Sequence, residues 1–459
     1  MISIEIKNYL DIVNMVFLGI FIFLTLIVVH FLLISIVGLF CNKKYPHSDK
    51  KCRYGCIIPA RNEENTISDL INSIRKSDYP QDKLDIFVVA HNCTDNTVRI
   101  AQEAGAIVYE YNNMNECTMG FAFKALFEFI EKNINGGTAS YDGFFLFNAD
   151  NIVKKDYFTK MNDAFNYYDK KCVITSFRNS RNFNSNVIAG LYGIYFVIGS
   201  RFESLGRTVL GISTRVQGTG YVINSELVKN GWNYTQLTED WEFSADQVLN
   251  GNKIKFCNEA IFYDEQPTNL KIMWRQRVRW SRGHLLVFFT KFKDLMQSLF
   301  SSKKKKNFSI YDTMINTSPY VIVVMIVFLL KIVCYLFAPL ADLSIPAAEV
   351  YKYILFGDNP SAFLFDFDFK NFMFVNNGYL FHAIRTIIIS YVSLFLTAVI
   401  TFIAERKRIG KMNFFLKLFI CLLWPLFIFI EFPIDIQAIF SKNLSWKPIP
   451  HGDKNSIKA

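Results

Sequence analysis

The sequence predicts an α/β domain on a parallel or mostly parallel sheet, inserted between transmembrane helices. Three observations carry this. Long apolar runs stand at both ends of the chain, the middle alternates short apolar stretches with polar helical patterns, and the densest basic clusters lie beside the apolar runs. Hydrophobic residues make up 51% of the 459 residues and Phe occurs 46 times. Concentration of that excess into a few runs is what separates a membrane protein from a soluble one with a large core.

Charge narrows the reading further. Lys and Arg number 50 against 40 Asp and Glu, a net +10. A nucleic-acid binder would carry this excess as a stripe on its folded domain. Here the clusters flank apolar runs instead, so a lipid bilayer is the expected partner and nucleic acid is not. The 9 cysteines are scattered and odd in number, a poor disulfide framework. Cys52 and Cys56 lack a second Cys or His pair at zinc spacing.

Taken in order, the first run, Asn14 to Phe40, holds no Asp, Glu, Lys or Arg. As a helix it would measure roughly 40 Å, more than the ~30 Å hydrocarbon thickness. It is too long for a signal peptide, and Cys41-Asn42-Lys43-Lys44 follows where a small-residue cleavage site would stand. Residues 1–41 therefore read as a retained anchor. Strands are expected at Gly55–Pro59, Asp85–Ala90, Ala106–Tyr109, Gly143–Phe147 and Cys172–Phe177, with helices between them at Glu63–Ser77 and Thr94–Ala104. Strand–helix alternation argues for a sheet covered on both faces. This domain is placed at residues 54–284.

Residues 285–307 mix Leu, Val and Phe with Lys291, Lys293 and Asp294 and end in Lys303–Lys306, as an interfacial amphipathic helix and basic linker would. Residues 308–440 carry further apolar runs at Pro319–Leu340, Thr386–Ala404 and Leu418–Ile430, and 441–459 form a polar tail. With four spans, the clusters at Lys43–Arg53, Lys303–Lys306 and Arg406–Lys411 fall on one side, and the acid-rich Ala341–Leu380 on the other. The positive-inside rule then puts the α/β domain in the cytoplasm of a multi-pass cell-membrane protein, with the N-terminus outside.

The residues that could carry chemistry fall in order. The first strand leads into Ala60-Arg61-Asn62-Glu63-Glu64, the second into Ala90-His91-Asn92-Cys93-Thr94-Asp95, and the fourth into Asn148-Ala149-Asp150-Asn151. Ligands of α/β sheets sit beyond the carboxyl ends of the strands, where these residues lie. Asn92, Thr94 and Asp95 would equally cap the next helix. Asp150 is a hard oxygen ligand suited to Mg²⁺ or Mn²⁺ carried on phosphates, or else a solvated loop aspartate. Asp240 beside Glu239 is a candidate general base, since adjacent acids in a closed site raise each other's pKa. Taken alone, the pair also fits a solvated helix start. In Gln276-Arg277-Val278-Arg279-Trp280, the Arg can fork onto a diphosphate and the Trp face can stack on a sugar. Near a membrane, Arg and Trp also serve as anchors.

In this order these elements resemble the processive family 2 glycosyltransferases, the cellulose, chitin and hyaluronan synthases. The resemblance covers roughly Cys56 to His284. Its most specific parts are Thr238-Glu239-Asp240 and Gln276 through Trp280, which match that family's T-E-D and Q-x-x-R-W elements. It implies a GT-A type (Rossmann-like) domain and metal-dependent, inverting transfer from a UDP-sugar to a growing glycan. By resemblance, Asp150 holds the Mg²⁺ or Mn²⁺ and Asp240, with Glu239, is catalytic. Arg61, Glu63, His91, Asp95, Asn148, Gln276 and Arg279 bind the donor. Gly218, Thr219, Gly220 and Trp280 meet the acceptor. Three positions depart from the family pattern: Asn148 replaces the first acid of D-x-D, His91 stands for an Asp, and Met119 for a Lys. Overall similarity points to UDP-glucose and a β-1,4 or mixed-linkage glucan exported through the protein's own channel, Lys331 being a candidate lining residue. The alternatives are a synthase using UDP-N-acetylglucosamine, a non-processive lipid-linked transferase, and a membrane scaffold without chemistry.

Overall fold

The computed structural model describes residues 2–301, 307–357 and 378–441. The Lys303–Lys306 cluster, much of Ala341–Leu380 and the tail beyond residue 441 lie outside them. The chain divides into two compact units. One draws on Met1–His30, Pro319–Ile400 and Cys421–Phe432, the other on Phe31–Ser318, Thr401–Ile420 and Pro433–Ala459.

The second unit is built on an eight-stranded mixed sheet in the order β3-β2-β1-β4-β7-β6-β8-β5. Its strands are β1 (Tyr54–Ala60), β2 (Leu84–His91), β3 (Ile107–Tyr111), β4 (Gly143–Leu146), β5 (Ile152–Val153), β6 (Val173–Ser180), β7 (Tyr221–Asn224) and β8 (Ile254–Asp264). The first four strands pair in parallel, and the expected strands fall on β1–β4 and β6. Sequence reading found none of β5, β7 and β8. Because β7 is antiparallel to both β4 and β6, the sheet is mixed rather than purely parallel.

Side-chain alternation explains why these strands read as continuous apolar runs. On β1, Cys56, Ile58 and Ala60 enter one core with Phe145, Phe147, Tyr157 and Phe158, while Ile57 enters another with Phe87, Phe123, Phe144 and Trp232. A strand covered on both faces has no polar side to show. The helices α2 (Ile67–Arg75), α5 (Tyr157–Tyr167) and α4 (Met119–Asn133) supply those covers. Further helices of the chain are α1 (Ile4–Phe40), α3 (Thr97–Glu103), α6 (Val187–Ile198), α7 (Leu205–Val209), α8 (Glu239–Leu249) and α9 (Leu270–Phe300). α9 runs unbroken through position 284, so the Q-x-x-R-W residues and the apolar stretch after them share one 31-residue helix.

Segment 401–420 packs on the α/β domain through Arg408. Its guanidinium donates to the Asn258 side chain and carbonyl at 2.9 Å each and lies 4.1 Å from the Phe177 ring centre.

In the other unit, Tyr320 donates to the carbonyl of Leu24 at 3.0 Å, and Lys331 lies 5.5 and 5.9 Å from the rings of Tyr335 and Tyr379. Among the described residues, three helices are long and apolar enough to cross a membrane: Ile4–Phe40, Gly378–Ala404 and Phe414–Phe440. The pair Phe308–Thr317 and Tyr320–Leu336 makes a fourth if taken as one broken span.

Candidate active site

The carboxyl ends of β1, β2 and β4 open onto three loops. The first two are laced together. Asn62 and Asn92 both adopt positive φ, 58° and 54°, a conformation Asn tolerates better than most residues. The Asn62 side chain accepts from the Thr94 backbone at 2.8 Å. Asp95 accepts from Thr97 N at 3.0 Å and Thr97 Oγ1 at 2.6 Å with one oxygen, and from Glu64 N at 3.2 Å with the other. The Glu63 carboxylate accepts from Thr66 Oγ1 at 2.8 Å. Asp95 and Glu63 thus shape the loops from within, while the N-cap position of α3 falls on Asn96, with no side-chain capping bond.

His91 ends β2, is 4% exposed, and stacks on Tyr111 with ring centres 5.3 Å apart. Burial lowers its pKa and the nearby Arg61 adds to this, so the ring is neutral at pH 7. Its Nε2 has no hydrogen-bond partner among the described residues. A neutral imidazole with an open nitrogen suits the edge of a nucleobase.

The third loop meets the glycine loop. Asn148 N donates to Thr219 Oγ1 at 2.8 Å, and Thr219 Oγ1 in turn donates to Asn151 Oδ1. The Asn151 amide reaches Asp150 at 3.1 Å. Asp150, 6% exposed, also accepts from Glu265 N at 3.3 Å. Asp264 stands close enough to feel the Asp150 charge, and burial together with that charge raises its pKa. Asp264 Oδ1 and Asn148 Oδ1 are buried without partners among the described residues.

Asp150, Asp264 and Asn148 are hard oxygen donors of the kind a divalent cation takes. Among the described residues no group of three or more His, Cys, Asp or Glu forms a complete cage. The unpartnered Asp264 Oδ1 and Asn148 Oδ1 would fit an ion that arrives on a diphosphate and keeps phosphate oxygens as ligands.

Gly218 and Gly220 hold φ at 77° and 68°. A Cβ on Gly220 would sit 2.2 Å from the Phe262 ring, so only glycine fits. A Cβ on Gly218 would sit 3.6 Å from Asp240 Oδ2, which places the loop directly over the carboxylate. Ser244 locks this arrangement: it accepts from Val216 N at 3.1 Å and donates to the Asp240 carbonyl at 2.7 Å.

Asp240 and Glu239 open α8 behind Thr238, whose Oγ1 has no partner among the described residues. Burial raises the Asp240 pKa above the ordinary carboxylate range. The Trp241 backbone N–H and the guanidinium groups of Arg178 and Arg279 oppose this without cancelling it. Glu239 is pushed up further, by deeper burial and then by the Asp240 charge. Asp240 stays partly accessible while Glu239 is 6% exposed. The accessible acid of the pair is the one facing the glycine loop.

α9 brings the remaining residues. A Cβ on Gly283 would meet the Thr238 side chain at 2.3 Å, so α9 and the start of α8 touch, and Arg279 one turn earlier acts on both acids. Arg279 also donates to the Leu237 carbonyl at 3.4 Å. Trp280 faces the domain: its ring lies 6.1 Å from those of Tyr192 and Phe196 on α6, edge to face with each. Gln276 Oε1 is buried without a partner among the described residues. Sequence reading missed Arg178 and Asp264, which form a buried ion pair between Asp150 and Asp240. Arg178 is the one charged residue in Val173–Ser180, and that was the available signal.

Residues 52–283 match the family model described as glycosyltransferase like family 2. The chain belongs to that family. As a family 2 glycosyltransferase it has the mixed α/β sheet of the GT-A type. It is 27% identical to YdaM of Bacillus subtilis over 256 residues, 54% of this chain and 58% of that one. It is also 27% identical to the poly-beta-1,6-N-acetyl-D-glucosamine synthase of Staphylococcus aureus over 261 residues, 56% and 58% of the two chains. The match thus spans less than two thirds of these relatives. Among solved structures, the mannosyltransferase PcManGT from Pyrobaculum calidifontis aligns over 88% of this chain and 98% of its own, with a TM-score of 0.49 and 13% identity.

Proposed function

We propose that this family 2 glycosyltransferase transfers hexosyl units from a nucleoside-diphosphate sugar, with inversion, to the end of a growing β-linked glycan. The observation that carries the reading is the seat of Asp240: partly accessible, opposite the Gly218 backbone and beside Arg279. In the step, Asp240 Oδ2 takes the proton of an acceptor hydroxyl. That oxygen bonds to the anomeric carbon from the face opposite the leaving group, and the bond to the diphosphate oxygen breaks, its electron pair leaving with the diphosphate. Arg279 stands where this negative charge grows. A divalent cation held by Asp150 and Asp264 would neutralise the diphosphate. His91 and Arg61 take the base end of the donor. Trp280, banked against Tyr192 and Phe196, offers a stacking face to the acceptor sugar.

Of the two donors weighed, UDP-N-acetylglucosamine has the better support, because the S. aureus relative is named for its polymer. UDP-glucose rests on the sequence resemblance alone. The apolar helices would make the enzyme multi-pass in the cell membrane with the domain in the cytoplasm, where nucleotide sugars are. Packing of Arg408 on the domain supports placing the basic cluster at Arg406–Lys411 on the same side. Polymer extrusion through the apolar helices belongs to the same proposal: a chain of hydroxyls crosses hydrocarbon only at several kcal/mol for each unpaired group.

The test is incubation of membranes with each labelled donor, followed by lipid extraction and sizing. Extraction-resistant product of high mass from one donor supports the reading. Single-sugar lipid product, or none with either donor under Mg²⁺ or Mn²⁺, overturns it.

A further inference from the structure

The ion pair missed in the sequence links the end of β8 to the loop before Gly218. Arg178 projects from β6, its side chain only 11% exposed, and Asp264 at the end of β8 is 2% exposed. Nε donates to Asp264 at 2.6 Å, while Nη1 donates to the carbonyl of Gln217 at 2.8 Å. The guanidinium carbon lies 3.5 Å from the centre of the Phe196 ring, which itself backs Trp280. Three contacts on one planar group leave it one orientation. On one side is Asp264, the neighbour of Asp150; on the other is the residue before Gly218, the glycine opposite Asp240.

We propose that Arg178 is a positioning residue that ties the donor-side acids to the acceptor loop, holding Gly218 at the separation from Asp240 that an attacking hydroxyl needs. This rests on the transfer reading above. Asp264 anchors the guanidinium, the guanidinium pins the Gln217 carbonyl, and the positive-φ turn at Gly218 follows from where that carbonyl is held. A second consequence is electrostatic. The groups facing Asp240 are Glu239 on its own helix, Tyr221 on β7, Arg279 on α9 and Arg178 on β6. Removing either cation leaves the carboxylate less favoured, so its proton is held to higher pH.

A purely structural ion pair between β6 and β8 is the competing account, and it predicts lost stability without a change in the chemistry. The experiment compares Arg178→Gln and Arg178→Lys with wild type in detergent-solubilised full-length protein. Turnover is measured with whichever of the two UDP-sugars is used, against pH and against concentration of a short β-linked oligosaccharide acceptor. For R178Q we expect the acceptor KM to rise about tenfold, as for a lost hydrogen bond to a charged group. We also expect the acid limb of kcat to move up by about one pH unit. R178K keeps the charge and loses the fork, so its acceptor KM rises while its acid limb stays near that of wild type.

If R178Q does not fold, R178K alone decides the matter: an unchanged acceptor KM overturns the proposal. So does an R178Q enzyme whose kcat falls uniformly with both readouts unmoved. Failure of the underlying transfer reading is distinguishable, since wild-type protein would then form no product at all.

Discussion

Replacing the Asp240 carboxylate by an amide of the same shape is the sharpest perturbation the site allows. Asp240→Asn keeps the side-chain volume and the acceptor for the Trp241 N–H. It removes the carboxylate charge opposite Gly218, where a Cβ would come within 3.6 Å of Oδ2. General-base assistance contributes about 10²–10⁴-fold, or roughly 2.7–5.4 kcal/mol of barrier at 1.36 kcal/mol per tenfold. Donor binding should survive, because the loops carrying Asp150, Asn148 and His91 make none of their observed hydrogen bonds to Asp240. Glu239 is no substitute: it is buried, and its own proton is held to higher pH than that of Asp240. The assay pairs incorporation of labelled donor with calorimetric titration of UDP. Incorporation should fall at least a hundredfold while UDP affinity stays within about threefold. A variant keeping more than about a tenth of the wild-type rate refutes the assignment.

Other outcomes follow from the same geometry. Because burial raises the Asp240 pKa and the base works deprotonated, kcat should fall away as pH drops through that raised value, well above the ordinary carboxylate range. An acid limb at about pH 4, the unperturbed value, contradicts this. Gly218→Ala adds a methyl group at positive φ, 3.6 Å from Asp240 Oδ2, in the space proposed for the acceptor. It should cost only about 1 kcal/mol of stability yet reduce turnover more than tenfold, and normal kinetics argue against the acceptor loop. Asp150→Asn should raise the Mg²⁺ or Mn²⁺ concentration for half-maximal transfer at least tenfold; an unchanged metal titration removes Asp150 from that role.

Much of the candidate site was readable because its residues stand in contiguous stretches. Thr238-Glu239-Asp240 opens one helix and Gln276 through Trp280 occupies little more than one turn of another, so their spacing survives in one dimension. Arg178 and Asp264 acquire meaning only when β6 and β8 pair in parallel, which brings residues far apart in sequence to adjacent strand ends. The strands that escaped notice have local causes. β5 has two residues, too short for a period to register, and β7 follows directly on the glycine loop. β8 is interrupted by Asn258 and Glu259, opposite a register shift between Ser176 and Phe177. Asp95 shows what spacing alone leaves open, and the N-cap of α3 is the next residue, Asn96. Its position suggested either a nucleotide contact or a cap, and both of its oxygens hold loop backbone or Thr97.

Transfer with inversion at a base-activated hydroxyl is tested most directly by the configuration of the new bond. Proton NMR of product formed from an α-linked UDP-sugar reports the anomeric coupling of each added unit. The account predicts the large diaxial coupling of a β-linkage throughout. An α-linked product would show retention and leave Asp240 without the role given to it here.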